Sequence, residues 1–149
     1  MDIDLALLAD AATIDSSGKL NILGVFDRIA SSRFPVQHGR IALVVRFSSG
    51  SESAGVHEVA IRLRGPGGEV LRLDGRIQVG GGPGARGPVK VPQVFNLDGL
   101  VVPEPGSFAF DILVDGVHQT SVPLEVIRVT GPQPPLPPPG FPTSGGIQA

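Results

Sequence analysis

Apolar and polar residues alternate along most of this chain with a period of two, the spacing of a half-buried β-strand. The cleanest case is Phe108, Phe110, Ile112 and Val114, which alternate with Ala109, Asp111 and Leu113. Asp115-Gly116 follows, a dipeptide favoured where a two-residue hairpin turn needs positive φ at both positions. A return strand over 117–129 places Val122, Leu124 and Val126 on one face. Pro123 has no N–H for the ladder, so the strand is expected at an edge or a bulge there. A second hairpin spans 58–79. Val59, Ile61 and Leu63 alternate with Glu58, Arg62 and Arg64. Beyond the turn Gly65-Pro66-Gly67-Gly68, Leu71, Leu73, Ile77 and Val79 alternate with Arg72, Asp74, Arg76 and Gln78. This hairpin has one wet face, as antiparallel sheets often do.

The remaining segments follow the same logic. Residues 41–47 (IALVVRF) are nearly all apolar and β-branched, which predicts a central strand covered on both faces. Residues 3–9 (IDLALLA) read as a strand, because Asp15-Ser16-Ser17-Gly18 turns the chain into LNILGVF at 20–26. A helix over 3–9 is the alternative, since Leu and Ala are good helix formers. Gly24 inside a strand marks a bulge or a close backbone approach. Asp27 to Pro35 continues extended, and 80–92 (GGGPGARGPVKVP) is too rich in Gly and Pro for regular structure. A short strand runs from Val94 to Leu100, and Phe95, Phe108 and Phe110 are expected at the centre of the core. About eight strands with turns between them and no amphipathic helix predict an all-β fold. The expected form is a two-sheet antiparallel sandwich, Ig-like or C2-like, with a closed barrel as the alternative.

Composition separates this domain from its C-terminal end. A chain of 149 residues fits one domain, and with 41% hydrophobic residues it can bury a core without staples. Gly 21 and Pro 15 are both high, and much of that excess falls in 80–92 and 131–146. Residues 1–130 therefore read as the β domain. Residues 131–149 read as a separate disordered, Pro/Gly-rich tail, extended as polyproline II where proline is densest.

Charge and residue usage narrow the function classes. The net charge of −2 gives no general attraction to phosphate or anionic lipid. Cys 0 removes disulfides, thiol nucleophiles and Cys-ligated zinc. Trp 0 and Tyr 0 leave no stacking platform for sugars or single-stranded nucleic acid. Met1-Asp2-Ile3-Asp4 is acidic where a signal peptide is basic, and no apolar run is long enough to span a bilayer. A cytoplasmic protein with no membrane and no nucleic-acid partner is the expectation.

Three segments resemble a family of short bacterial proteins known only as a domain of unknown function. They are LLADAATIDSSGKLNILGVFDRI (7–29), FNLDGLVVPEPG (95–106) and FAFDILVDGVHQTSVPLEV (108–126). The resemblance covers roughly 5–127 and rests on turns, bulges and core positions. It implies no activity and carries over no site residue.

No catalytic or metal constellation emerges from spacing, and no cofactor is implied. His38, His57 and His118 lie in three different segments without a second ligand at metal spacing. The serines cluster in turns, with no GxSxG elbow. GGGPGARGP lacks the Lys-Ser/Thr and the helix that a phosphate loop needs. Asp2, Asp4, Asp10, Asp15 and Asp27 lack EF-hand spacing and read as turn and edge residues. The one surface feature is a row of arginines. Arg62, Arg64, Arg72 and Arg76 should share the outward face of the 58–79 hairpin, near Glu58, Glu69 and Asp74. That face is either a solvated, salt-bridged sheet or a docking surface for an acidic partner.

The expected function is a non-enzymatic protein-interaction module acting through loops, an edge strand or the proline-rich tail. One alternative is an enzyme or small-ligand binder assembled from scattered residues, with His57, His118 and acidic turn residues as the first places to look. The other is a structural subunit of a larger assembly.

Overall fold

Alternation becomes pairing along most of the chain. The computed structural model describes residues 1–80 and 89–130. The first segment is a strand: β1 (Asp2–Ile14) turns into β2 (Leu20–Phe26) as an antiparallel hairpin. The Asp15 carboxylate closes that turn, accepting from the backbone N–H of Ser17 at 2.9 Å and of Lys19 at 3.0 Å. Helix propensity in 3–9 is overridden because β1 finds partners on both sides, β2 and β5 (Arg40–Ser49). Gly24 has φ +72°, and a side chain there would collide with the Asp10 carboxylate. The close approach read from the sequence is therefore real.

Between β2 and β5 the chain changes sheets. β3 (Arg28–Ser31) leaves β2 and pairs parallel with the final strand, β11 (Val117–Arg128). β4 (Val36–Gln37) pairs with β9 (Val101–Val102) as a small separate ladder. The second hairpin is β6 (Gly55–Gly65) and β7 (Gly68–Val79). β8 (Val89–Asp98) follows residues 81–88, which lie outside the described residues. β10 (Gly106–Val114) and β11 form the last hairpin around Asp115 (φ 50°) and Gly116 (φ 80°), as that dipeptide requires.

Two principal sheets result. One has the order β2-β1-β5-β8 and the other β3-β11-β10-β6-β7, the second curling into a half-barrel. One hydrophobic cluster joins them. Leu8, Leu43, Val45 and Phe47 come from the first sheet, and Ile61, Leu63, Phe110, Ile112 and Leu124 from the second. β5 is buried on both faces from Ile41 to Val45, as its apolar run predicts.

Three expectations need correction. The strand expected from Val94 begins at Val89, because Val89 and Val91 alternate with Lys90 and the strand lies at a sheet edge. Pro92 then costs no ladder bond on its free side. Phe95 is only half-buried, since an edge strand is covered from one side; Phe47 is fully buried instead. The strands are also more numerous than about eight, because short pieces such as β3, β4 and β9 each pair. Pro123 sits in β11 beyond the reach of four-residue β3, so β11 is locally an edge there.

Candidate functional site

The outer face of the five-stranded sheet carries most of the chemistry. Arg62 and Arg64 project from β6, and Arg72 faces Arg62 across the β6–β7 ladder. Arg76 faces Glu58 in the same register. The four arginines foreseen in the sequence therefore share one face. What was not foreseen is Asp111 of β10, which the register sets directly opposite Arg62. Its side chain is only 2% exposed, although its strand position points away from the core. The long arginine side chains cover it.

Asp111 organises a network. Arg64 Nε donates to its Oδ2 at 2.7 Å and Arg62 Nη2 to the same oxygen at 3.2 Å. Ser121 Oγ donates to Oδ1 at 2.6 Å. Burial pushes the Asp111 carboxyl up, but hydrogen bonds from Arg64, Ser121 and Arg62 outweigh it and hold the group below the ordinary carboxylate range. Arg72 reaches Asp74 at 3.3 Å. Among the described residues Arg76 makes no ion pair, and the Nε of Arg62 is buried with no partner. Beside them lies a hollow of about 440 Å³, lined by Glu58, Arg72, Asp74, Arg76, Leu113 and Gly116 among others.

Two histidines meet carboxylates. His57 Nδ1 lies 2.6 Å from Asp115 Oδ2, and its Nε2 lies 2.5 Å from the Ser53 carbonyl in a 3₁₀ turn (Ser51–Ser53). Both partners are acceptors, so the arrangement favours the protonated ring, whose two N–H groups it satisfies. Its pKa is raised by the Asp115 hydrogen bond first and the Ser53 carbonyl second. Asp115 is lowered by the same contact and by the backbone N–H of Glu58 at 3.0 Å. His57 thus ties a loop to a hairpin turn, with both ring nitrogens engaged.

His118 Nε2 lies 2.8 Å from Ser121 Oγ and 3.8 Å from Asp111 Oδ1. The order is Asp–Ser–His, with serine in the middle. The serine proton points to Asp111, so His118 donates to Ser121 Oγ and does not deprotonate it. A nucleophilic triad needs histidine between the other two. His38 stands apart, stacked on Phe26 with ring centroids 5.8 Å apart.

Two of the N-terminal aspartates are engaged separately. Asp4 pairs with Arg46 at 2.8 Å and with Lys90, while Asp15 closes its turn. Among the described residues no three His, Asp or Glu side chains gather to hold a metal. The glycine-rich segment 81–88 and the proline-rich segment 131–149 lie outside the described residues.

Comparison with known proteins adds a family. The model of a family of unknown function, DUF6941, matches residues 4–127. The chain belongs to that family. The DUF6941 match takes in nearly all of the three hairpins and the whole Asp111 network, and it ends before the proline-rich segment. No curated protein matches the chain. One solved structure similar to it is Pseudomonas fluorescens alkylpurine DNA glycosylase AlkC bound to DNA containing an abasic site analog. The identity is 12% and the TM-score 0.45, with 85% of this chain and 30% of that one covered. A likeness at that level carries no argument about what this DUF6941 chain binds. It does put a DNA-bound protein among the structures similar to this one, so the expected exclusion of nucleic acid is withdrawn.

Asp111 and Ser121 were the residues missed. The available signal was a lone charge at the outward position of an otherwise apolar strand, FAFDILV. Its arginine partners lie 47 and 49 residues away in sequence, so no local pattern joins them.

Proposed function

We propose that this chain is a non-enzymatic protein-interaction module whose arginine-bearing sheet face docks a partner surface. The two sheets, antiparallel except for the β3–β11 pair, are read as a sandwich of the Ig-like or C2-like kind, formed by residues 1–130, with 131–149 as a separable tail. A cytoplasmic site of action goes with this reading, and no described helix is long and apolar enough to cross a membrane.

The observation that carries the proposal is the Asp111 network. It fixes Arg62 and Arg64 in place on a sheet, and Arg76 on the same face makes no ion pair among the described residues. Pre-organised arginine is the common anchor of protein interfaces, since its planar fork loses little freedom on binding. Glu58, Asp74 and Asp111 interleave with the four arginines. A mixed pattern of this kind suits a partner surface that carries both signs of charge. The histidine geometry supports a binding role in a second way, because neither His57 nor His118 is arranged as a base.

Affinity purification of the full chain from its native host tests this. The wild type should retain one protein partner reproducibly, and Arg72→Glu/Arg76→Glu should lose it while remaining folded by circular dichroism. Retention of nucleic acid in place of protein, or a partner indifferent to the charge reversal, overturns the reading.

A further inference from the structure

Opposite the arginine face, the open side between the two sheets holds an apolar groove. One stretch, about 340 Å³, is lined by Val70, Leu71 and Leu73 of β7, and by Leu97, Leu100 and Val101 across from them. A second stretch, about 310 Å³, continues past Glu69, Pro103, Glu104 and Phe108. Val70 and Val101 line both, so the two stretches form one groove.

Three observations give the groove a specific occupant. The first is a bulge. Leu63 pairs with Leu71 but Arg64 pairs with Glu69, so Val70 is the extra residue of β7. Bulges re-aim side chains beside binding sites, and this one sets Val70 at the junction of both stretches. The second is the strand edge. β7 ends its sheet, so one side of its backbone has no ladder partner among the described residues. Two other edges are less receptive: β8 carries Lys90 and Pro92, and β3 has only four residues. The third is charge. No lysine or arginine lines the groove, and Asp98 is already held by Arg40 at 2.5 Å. Glu69 and Glu104 are exposed and make no ion pair among the described residues.

We propose that this groove binds an extended apolar peptide segment, flanked by lysine or arginine, which adds as a strand to the free edge of β7. Backbone hydrogen bonds to β7 supply the register, alternate apolar side chains fill the space around Val70 and Val101, and the basic flank meets Glu69 and Glu104. β7 from Gly68 to Leu73 offers roughly 20 Å of edge at the rise of a strand, room for about six residues. Apart from Glu69, which faces Arg64 across the β6–β7 ladder, the proposal uses no residue of the arginine face, and it stands independently of the reading above.

The test is a titration of the full chain with three synthetic heptapeptides, followed by amide NMR. The probe is Lys-Val-Thr-Val-Thr-Val-Lys. The controls are the same peptide with Glu at both ends, and the basic peptide with alternate amides N-methylated. The basic probe should shift the amides of Val70, Leu71, Leu73, Leu100 and Val101. The Glu-flanked and the N-methylated peptides should each bind at least tenfold more weakly. Glu69→Lys/Glu104→Lys, both exposed positions, should reverse the preference between basic and acidic peptides while leaving the fold intact. Equal binding of the two charge forms overturns the proposal. So do unshifted groove amides at millimolar peptide, shifts confined to the arginine face, and self-association of the chain that occupies Val101.

Discussion

Arg72 and Leu73 are neighbours in β7 and belong to surfaces of opposite character. Arg72 lies on a face where charge meets charge within the molecule: Arg64 and Arg62 on Asp111, Arg72 itself on Asp74. Leu73, on the other side, is 37% exposed in an apolar groove that continues to Val101, 47% exposed. The difference comes from what each kind of side chain needs. A guanidinium is satisfied by one carboxylate in reach, which an adjacent strand supplies. An apolar side chain at an edge needs area, and an edge strand has a neighbour on one side only. Apart from Arg76, the arginines of the charged face meet carboxylates within the molecule, while the groove is incomplete.

The largest change that bears on this comparison is loss of what both surfaces rest on. Phe108 is buried in the core and also floors the second stretch of the groove. Phe108→Ala should cost about 3 kcal/mol or more in urea denaturation, through lost burial and the cavity left behind. A loss below about 1 kcal/mol would mean that the groove collapses onto the site.

Asp111→Asn comes next, with an expected loss of about 2 kcal/mol, the scale of charge-assisted hydrogen bonds to a buried carboxylate. The pH dependence carries a sign. The folded pKa of Asp111 lies below its ordinary 3.8, so its contribution is present above that value and is lost as pH falls through the folded pKa. The variant should flatten the acid limb of the stability curve. An unchanged limb would show that the arginines draw no net stability from Asp111.

His57→Gln acts at the opposite end of the pH scale. The folded pKa of His57 lies above its ordinary 6.5, so its contribution is complete below pH 6.5 and is lost as pH rises through the folded value. Asp115, lowered from 3.8, adds the opposite limb in acid. Thermal melts of the wild type should fall with rising pH above 6.5, and the variant should lose that slope. A slope that persists in the variant assigns it to another group.

The smallest effects should sharpen the contrast most. Arg76→Gln and Leu73→Ser are both surface changes and should each shift stability by no more than about 0.5 kcal/mol. Their binding consequences should separate. Leu73→Ser should weaken the basic heptapeptide and leave the arginine-face partner alone, and Arg76→Gln should do the reverse. If both variants weaken both ligands, the two surfaces are one site.

The hairpins were legible because their signals are local. Asp115-Gly116 and the alternation from Phe108 to Val114 each lie within a few residues, and the structure has both. The turn at Asp15 to Gly18 is equally local. The passage of the chain from β2 to β3, in the other sheet, is not local. Nothing in Asp27-Arg28-Ile29 states that Ile29 will lie beside Val126. The arginine row was legible as a face, whereas its acid partner was not. Asp111 read as one outward residue among others until β10 was set against β6.

What the sequence by itself determined is which segments are strands, where they turn and which side chains of each point together. These follow from a period of two and from the backbone preferences of Gly, Asp and Pro, all of which act between near neighbours. Only the tertiary structure decided the order of strands in the sheets, the burial of an outward aspartate beneath two arginines, and the bulge that aims Val70 into an open groove. Those depend on which distant strands pair and in what register. A shift of one residue in any pairing would carry every side chain of that strand to the other face.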